Sequence, residues 1–297
     1  VRLRHIEIFQ AILQTGSVTG AASLLNVSQP AASKALQHAE AQLGFTLFKR
    51  VRGQLLPTPE ARILEQSTAR VFEELQRARR LADGLRQQSA RSLRVVATPS
   101  LAQSLLPKVI PRWMKRFPGV PYELATHHTP ELVENLLLHE SDLALTLQDP
   151  KHAGLSMRTL AQGQMVVIAP PGHWPVSSLD EPLDIQELGG EPLLALDTRD
   201  ALGSLLDHHL GETPQPPRVV ARVQTWLLAR SLVAEGLGLA VVDPLTGYGP
   251  GAPIQVRALR PLLPVKFYAL TRPDEGISDA LEGLLEELGK EATVLMR

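Results

Sequence analysis

The sequence predicts three parts in series: an N-terminal all-α winged helix-turn-helix, a long linker helix, and an α/β domain of two lobes. Three observations carry this. Short Ala-rich segments flank "NVSQP" at residues 26–30, residues 60–83 contain neither Gly nor Pro, and from Ser92 onward β-branched runs alternate with runs of helical period. The chain has 297 residues, 44% of them hydrophobic, which is enough for about two domains with a core in each.

The helix that starts after Ser28 turns by about 100° per residue, so Ala32, Leu36, Ala39 and Leu43 fall on one narrow stripe and face a core. Pro30, Ser33, Lys34 and Gln37 lie on the opposite side, with Gln29 in the exposed first turn. Ser28 is an N-cap, and Pro30 fits a first turn whose amides lack intrahelical partners. Thr19 is placed to cap the preceding helix, which turns Ala21, Ala22, Leu24 and Leu25 inward and stops near Asn26. Two short helices joined by a tight turn, the second with a hydrogen-bonding face, form a helix-turn-helix that fits the major groove. The same geometry occurs in proteins that never touch DNA. The basic stretch beyond the second helix favours DNA: in "GFTLFKRVRGQLLPTPE", Lys49, Arg50 and Arg52 flank Gly53 between two short strands, a wing that would grip the phosphate backbone.

Charge agrees with this division. The net charge of −1 hides a split of +7 over residues 1–94 and −8 over residues 95–297, which points to a polyanionic partner for the front. Between the two, Glu60 to Gln88 reads as one helix whose Ile63, Leu64, Val71, Leu75, Ala78, Leu81, Ala82 and Leu85 recur at threes, fours and sevens. Such a stripe serves either an intrachain core or a second copy. Little chain lies nearby to cover it, which favours dimerisation.

After Ser92, "SLRVVA", "YELAT" and "DLALTL" are strands separated by "PSLAQSLLPKVIPRWMKRF" and "PELVENLLLH" as helices, and a second such series runs from "MVVIAP" to "ISDALEGLLEEL". The alternation predicts parallel sheets with right-handed crossovers. Zero cysteines exclude disulfides, thiolate metal sites and Cys nucleophiles, and no apolar run approaches the roughly 18 residues of a membrane span. A cytoplasmic protein is expected. His127, His128 and Glu131 are poor metal ligands because adjacent side chains at a strand end diverge, and neither G-x-S-x-G nor H-E-x-x-H occurs. No metal, cofactor or catalytic site is expected; a solute-binding protein would not need Ser17 to Arg52.

Over its whole length the chain resembles the LysR-type transcriptional regulators. The motifs are "LRHIEIFQAILQTGSVTGAASLLNVSQPAASKALQHAEAQLGFTLFKR" and "LLPTPEA". The resemblance implies a DNA-binding domain over 1–59, a linker and dimerisation helix over 60–91, and an effector domain over 92–297 like periplasmic binding proteins. Its lobe I would cover about 92–161 and 267–297, and lobe II about 162–266. Position by position it implies that Ser28, Gln29, Pro30, Ser33, Lys34, Gln37, Arg50 and Arg52 face a double-stranded operator, and that the protein is a homo-oligomer, a dimer of dimers, with no membrane partner. Ala31 and Ala32 stand where bulkier residues are frequent.

For the effector, strand ends and helix starts of a two-lobed domain are the expected place. "ATPSLAQ" offers, around Pro99, the amides of Ser100, Leu101 and Ala102 and the hydroxyls of Thr98 and Ser100 for a carboxylate, and Thr129 and Thr146 occupy the equivalent rims. Asp142 is expected to be structural. The other lobe supplies Asp197, Thr198 and Asp200 in "LDTRD" and Asp243 in "VVDPLTG", each of which is either a cap or a ligand contact. "GLGLAVVDPLTG" and "LDTRD" resemble the branch with the lysine-biosynthesis and octopine and nopaline regulators, which implies an amino acid or opine-like effector. That branch commonly has Asn at the position of Asp243.

Overall fold

The computed structural model describes residues 2–51, 54–87, 92–197, 201–273 and 278–296. They form two compact units, residues 1–83 and 84–297.

The first unit begins with α1 (Leu3–Thr15), α2 (Val18–Leu24) and α3 (Gln29–Leu43), continues with the antiparallel pair β1 (Phe48–Val51) and β2 (Gln54–Pro57), and enters α4 (Pro59–Gln87). Ser17, not Thr19, caps α2: its hydroxyl accepts the Gly20 N–H at 3.0 Å. Asn26, at φ 52°, closes the turn between α2 and α3. The core is Ile8, Phe9, Ile12, Leu36, Leu47 and Phe48 closed by alanines at positions 11, 21, 22, 32, 39 and 61. Thr58 ends the wing and starts α4, since its hydroxyl donates to the Thr46 carbonyl (2.9 Å) and accepts the Ala61 N–H (3.2 Å). Two polar contacts tie α1 to α4: in the interior Gln10 donates to the Thr68 hydroxyl at 2.8 Å, and the buried Glu7 carboxylate receives the half-exposed Arg79.

The second unit runs through β3 (Leu93–Ala97), α5 (Pro99–Ser104), α6 (Leu106–Arg116), β4 (Tyr122–Thr126), α7 (Thr129–Leu137), β5 (Leu143–Thr146) and β6 (Ser156–Gln164). The chain then crosses to β7 (Val166–Ala169), β8 (Leu183–Asp184), β9 (Pro192–Leu196), α8 (Ala201–Gly211), β10 (Arg218–Val223), α9 (Trp226–Ala234), β11 (Ala240–Val242), α10 (Pro244–Gly247) and β12 (Gln255–Arg260). It returns through β13 (Pro264–Thr271) to α11 (Asp279–Leu295). Lobe I holds the sheet β4-β3-β5-β13-β6. Lobe II holds β11-β7-β12-β8 and the parallel pair β10-β9, joined by a bridge from Leu193 to Leu239.

The expectation of wholly parallel sheets is corrected. β3 pairs in parallel with β4 and β5, but β13 runs antiparallel to β5 and β6, and β11 and β12 antiparallel to β7. The cause is the double crossing, because a strand that re-enters a lobe returns against the strand that left it. The two crossings meet where the Met165 N–H donates to the Leu263 carbonyl at 2.8 Å. One apolar core continues from lobe I to lobe II, with Trp113 and Phe267 fully buried. Asp142 is structural: its carboxylate takes the Arg94 N–H (2.8 Å), the Arg94 guanidinium (2.9 Å) and Arg272 (3.4 Å).

Candidate functional site

In the first unit, α3 turns Ala32, Leu36 and Ala39 into the core. Gln29, Pro30, Lys34 and Gln37 are exposed on the other side, and Ser33 is half-buried beside them. Ser28 caps the helix, its hydroxyl accepting the Ala31 N–H at 3.4 Å. The result is a hydrogen-bonding face with one cation, held rigidly by its buried back. Lys49 and Arg50 are exposed on β1. Arg52 lies outside the described residues. Sequence reasoning missed Glu40, whose carboxylate accepts the N–H groups of Leu47 (2.7 Å) and Phe48 (3.3 Å) and so locks the end of α3 to the first wing strand. Its only signal was a lone acid near the end of a helix that opens into a loop.

In the second unit the strand ends of both lobes meet at a cleft. Lobe I supplies Thr98, Pro99 and Ser100 from the β3–α5 turn, His128 and Thr129 from the β4–α7 turn, and Leu147 and Gln148 beyond β5. Lobe II supplies Leu196 and Leu202, then Gln224, Thr225 and Trp226 from the β10–α9 turn. An outer chamber of about 680 Å³ shares His128, Thr129, Gln148 and Gln224 and adds the carboxyl-bearing Glu131, Asp149 and Asp197. Among the described residues, the inner part is thus lined by hydroxyl, amide and ring groups between apolar side chains without a carboxylate, and the outer part adds three carboxylates. The hydroxyl of Thr98 and the indole N–H of Trp226 are buried and have no hydrogen-bond partner among the described residues.

Thr98, Pro99, Ser100, Thr129 and Asp197 therefore come together, while two expected contacts, Thr146 and Asp243, do not. Thr146 sits behind the wall: it is buried, its hydroxyl lies 3.0 Å from that of Thr129, and it accepts the Gln148 N–H at 3.1 Å. Leu101, which was expected to offer only its main-chain amide, turns a fully buried side chain into the core behind the β3–α5 turn. Asp243 does not reach the cleft at all. Its carboxylate is spent on starting α10, where it accepts the Thr246 N–H (2.9 Å) and the Thr246 hydroxyl (2.6 Å), and burial pushes its carboxyl up to about 6. Thr198 and Asp200 lie outside the described residues. Gln148, Gln224 and Trp226 were missed; Trp226 carried a faint signal as an aromatic residue at a strand-to-helix turn.

Two family models cover the chain: the bacterial regulatory helix-turn-helix protein of the lysR family over residues 3–62 and the LysR substrate-binding domain over residues 86–293. The chain belongs to the LysR family. Members are DNA-binding transcriptional regulators with a substrate-binding domain and are not enzymes. Among relatives, the HTH-type transcriptional regulator DgcR of Pseudoalteromonas sp is 34% identical over 97% of this chain and 99% of its own. The transcriptional activator protein LysR of Escherichia coli (strain K12) is 32% identical over 96% of this chain and 93% of its own. The octopine catabolism/uptake operon regulatory protein OccR of Rhizobium meliloti is 29% identical over 82% of this chain and 80% of its own. Full-length BenM shares the fold, with a TM-score of 0.58 at 21% identity over 99% of this chain and 97% of its own. No helix among the described residues of this LysR-family chain is long and apolar enough to cross a membrane.

Proposed function

We propose that this LysR-family regulator reads its operator through Ser28, Gln29, Pro30, Ser33, Lys34 and Gln37, grips the adjacent backbone with Arg50 and Arg52, and is switched by an amino acid or opine-like effector held between its lobes. It works in the cytoplasm, where the DNA is. Reading a two-fold site requires two copies. The outward Ile63, Val71 and Leu85 of α4, each at least 45% exposed, support a seam between copies and, by family, a dimer of dimers. Replacing Leu75 and Leu85 together by Asp would bury charge in that seam, giving monomers with weakened operator binding. An unchanged mass in sedimentation would remove the seam.

The observation that carries the effector reading is the division of the cleft. Thr98, Ser100 and Thr129 offer hydroxyls suited to a carboxylate, and Glu131, Asp149 and Asp197 surround the outer chamber that a cationic group would fill. The name of the OccR relative favours the same chemistry. Closing two lobes on opposite ends of one molecule would alter how α4 holds the DNA-binding units. Calorimetry against lysine, arginine, diaminopimelate and octopine, beside aromatic acids and amine-free dicarboxylates, tests it. Binding confined to the last two groups would overturn the amino acid reading and leave the regulator intact.

A further inference from the structure

Trp226 is a donor without an acceptor. It is 8% exposed, it forms part of the inner cleft wall, and its indole N–H meets no partner among the described residues. The other two tryptophans are built differently: the Trp113 indole donates to the Ala280 carbonyl at 2.7 Å inside the core, and Trp174 stacks against the Arg257 guanidinium. Leaving a buried N–H unpaired costs about 1–3 kcal/mol, so such a group at the wall of a cleft is a place for something that binds.

The position of Trp226 says what kind of acceptor. It is the first residue of α9, a helix of nine residues. The Thr225 hydroxyl caps that helix by accepting the Leu228 N–H at 3.2 Å, while the amides of Trp226 and Leu227 lie outside the helix's own ladder. Two main-chain donors and the positive end of a helix dipole therefore stand at the start of α9 on lobe II, on the residue that also carries the indole donor. Among the described lining residues of the inner cleft there is no carboxylate to oppose an anion there. On the facing lobe the Thr98 hydroxyl is likewise buried without a partner.

We infer that Trp226 is a specificity-determining residue whose indole N–H, with the first turn of α9, binds a second carboxylate of the effector. This rests on the reading that the cleft takes an amino acid-like molecule and narrows it to amino dicarboxylates: one carboxylate on the Thr98 side of lobe I, one on Trp226 of lobe II, and the cationic group towards the outer carboxylates. A monocarboxylic amino acid leaves the Trp226 N–H unpaired in the closed cleft.

Diaminopimelate is lysine with one further carboxylate, and octopine is arginine whose α-nitrogen carries a 1-carboxyethyl group, which gives two pairs whose members differ by a carboxylate-bearing group. Calorimetry on the full-length protein should show the diacid of at least one pair binding about 10- to 100-fold more tightly than its partner. In Trp226→Phe, which keeps a ring in the wall and removes the donor, that ratio should fall to near one. In a ¹⁵N-labelled sample the Trp226 indole resonance should move downfield with the diacid and stay in place with the monoacid, a reading that needs no variant. Equal affinity within both pairs, or a preference that survives in Trp226→Phe, overturns the inference. Thr98→Val separates it from the reading beneath it. If Thr98→Val weakens binding while Trp226→Phe does not, only the role of Trp226 falls; if neither changes the affinity of a compound that binds, the cleft is not its site. Binding of lysine or arginine alone, in a Thr98-dependent way, likewise removes the second carboxylate and keeps the cleft.

Discussion

The two units build their cores from different residues. In the DNA-binding unit, alanines at six buried positions sit between the helices, whereas the effector unit fills its core with leucine and valine around Trp113 and Phe267. Small side chains let α1, α2 and α3 approach closely, so that a short helix is held from behind and presents its whole outer face. Layers of helix on sheet stand further apart and need large side chains to reach native density. The proposed functional surfaces follow the same divide: one face of one helix with the adjoining wing in the first unit, and in the second a cleft assembled from six separate segments.

Opposite core substitutions test that difference with the largest effects. Phe267→Ala should destabilise the effector unit by about 3–5 kcal/mol through the cavity it leaves. Ala32→Leu, which adds volume where Phe267→Ala removes it, should cost the DNA-binding unit about 1–3 kcal/mol and displace α3. Denaturation followed by circular dichroism, with operator retardation alongside, reads both. Ala32→Leu with normal stability and operator affinity would mean that α3 does not need its close approach.

One helix cap of the effector unit stands apart. α2, α3 and α4 start on the hydroxyls of Ser17, Ser28 and Thr58, and α9 and α11 on those of Thr225 and Ser278, none of which titrates near neutrality, but α10 starts on the buried carboxyl of Asp243. Burial raises that carboxyl from its ordinary 3.8 to about 6. Its contribution to stability is therefore fully present below the unfolded value and is lost as the pH rises through about 6, by at most about 3 kcal/mol. Asp243→Asn keeps an acceptor for the Thr246 N–H without a charge. Its unfolding free energy should lack this fall between pH 4 and 7, and at pH 7.5 should equal or exceed that of the parent. A fall of the same size in the variant would mean that another group causes it.

On the exposed face the expected effects are smaller and concern binding. Ser33→Ala or Gln29→Ala should weaken specific operator binding by about 1–3 kcal/mol without changing stability. Arg50→Ala should weaken operator and unrelated DNA alike and lower the salt slope by about one. An Arg50 variant that changes only the operator would make the wing a reader of bases.

The outward face of α3 was legible because helical period and burial are properties of neighbours along the chain. Ala32, Leu36 and Ala39 lie on one stripe whatever packs against them, and Gln29, Lys34 and Gln37 must then point away. Ser28, two residues before Pro30, marks a helix start for equally local reasons. The wing strands and the order of most elements in the effector unit came from the same signals. The effector cleft was legible only in outline. "ATPSLAQ" announced a turn from strand to helix, and Thr98 and Ser100 do line the cleft.

Family, order of elements and the outward face of α3 are thus written in the chain itself. Which side chains at the strand ends see the cleft is settled by packing alone. Asp197 and Asp243 both follow buried strands, yet one lines the outer chamber and the other is sealed under α10. Thr129 and Thr146 differ in the same way, one on the wall and one behind it. Nothing local separates the members of these pairs. Their exposure depends on α5, α9 and α10 arriving from distant parts of the chain, and on two crossings that turn the last strands of each sheet antiparallel. Contacts between segments so far apart leave no period to read.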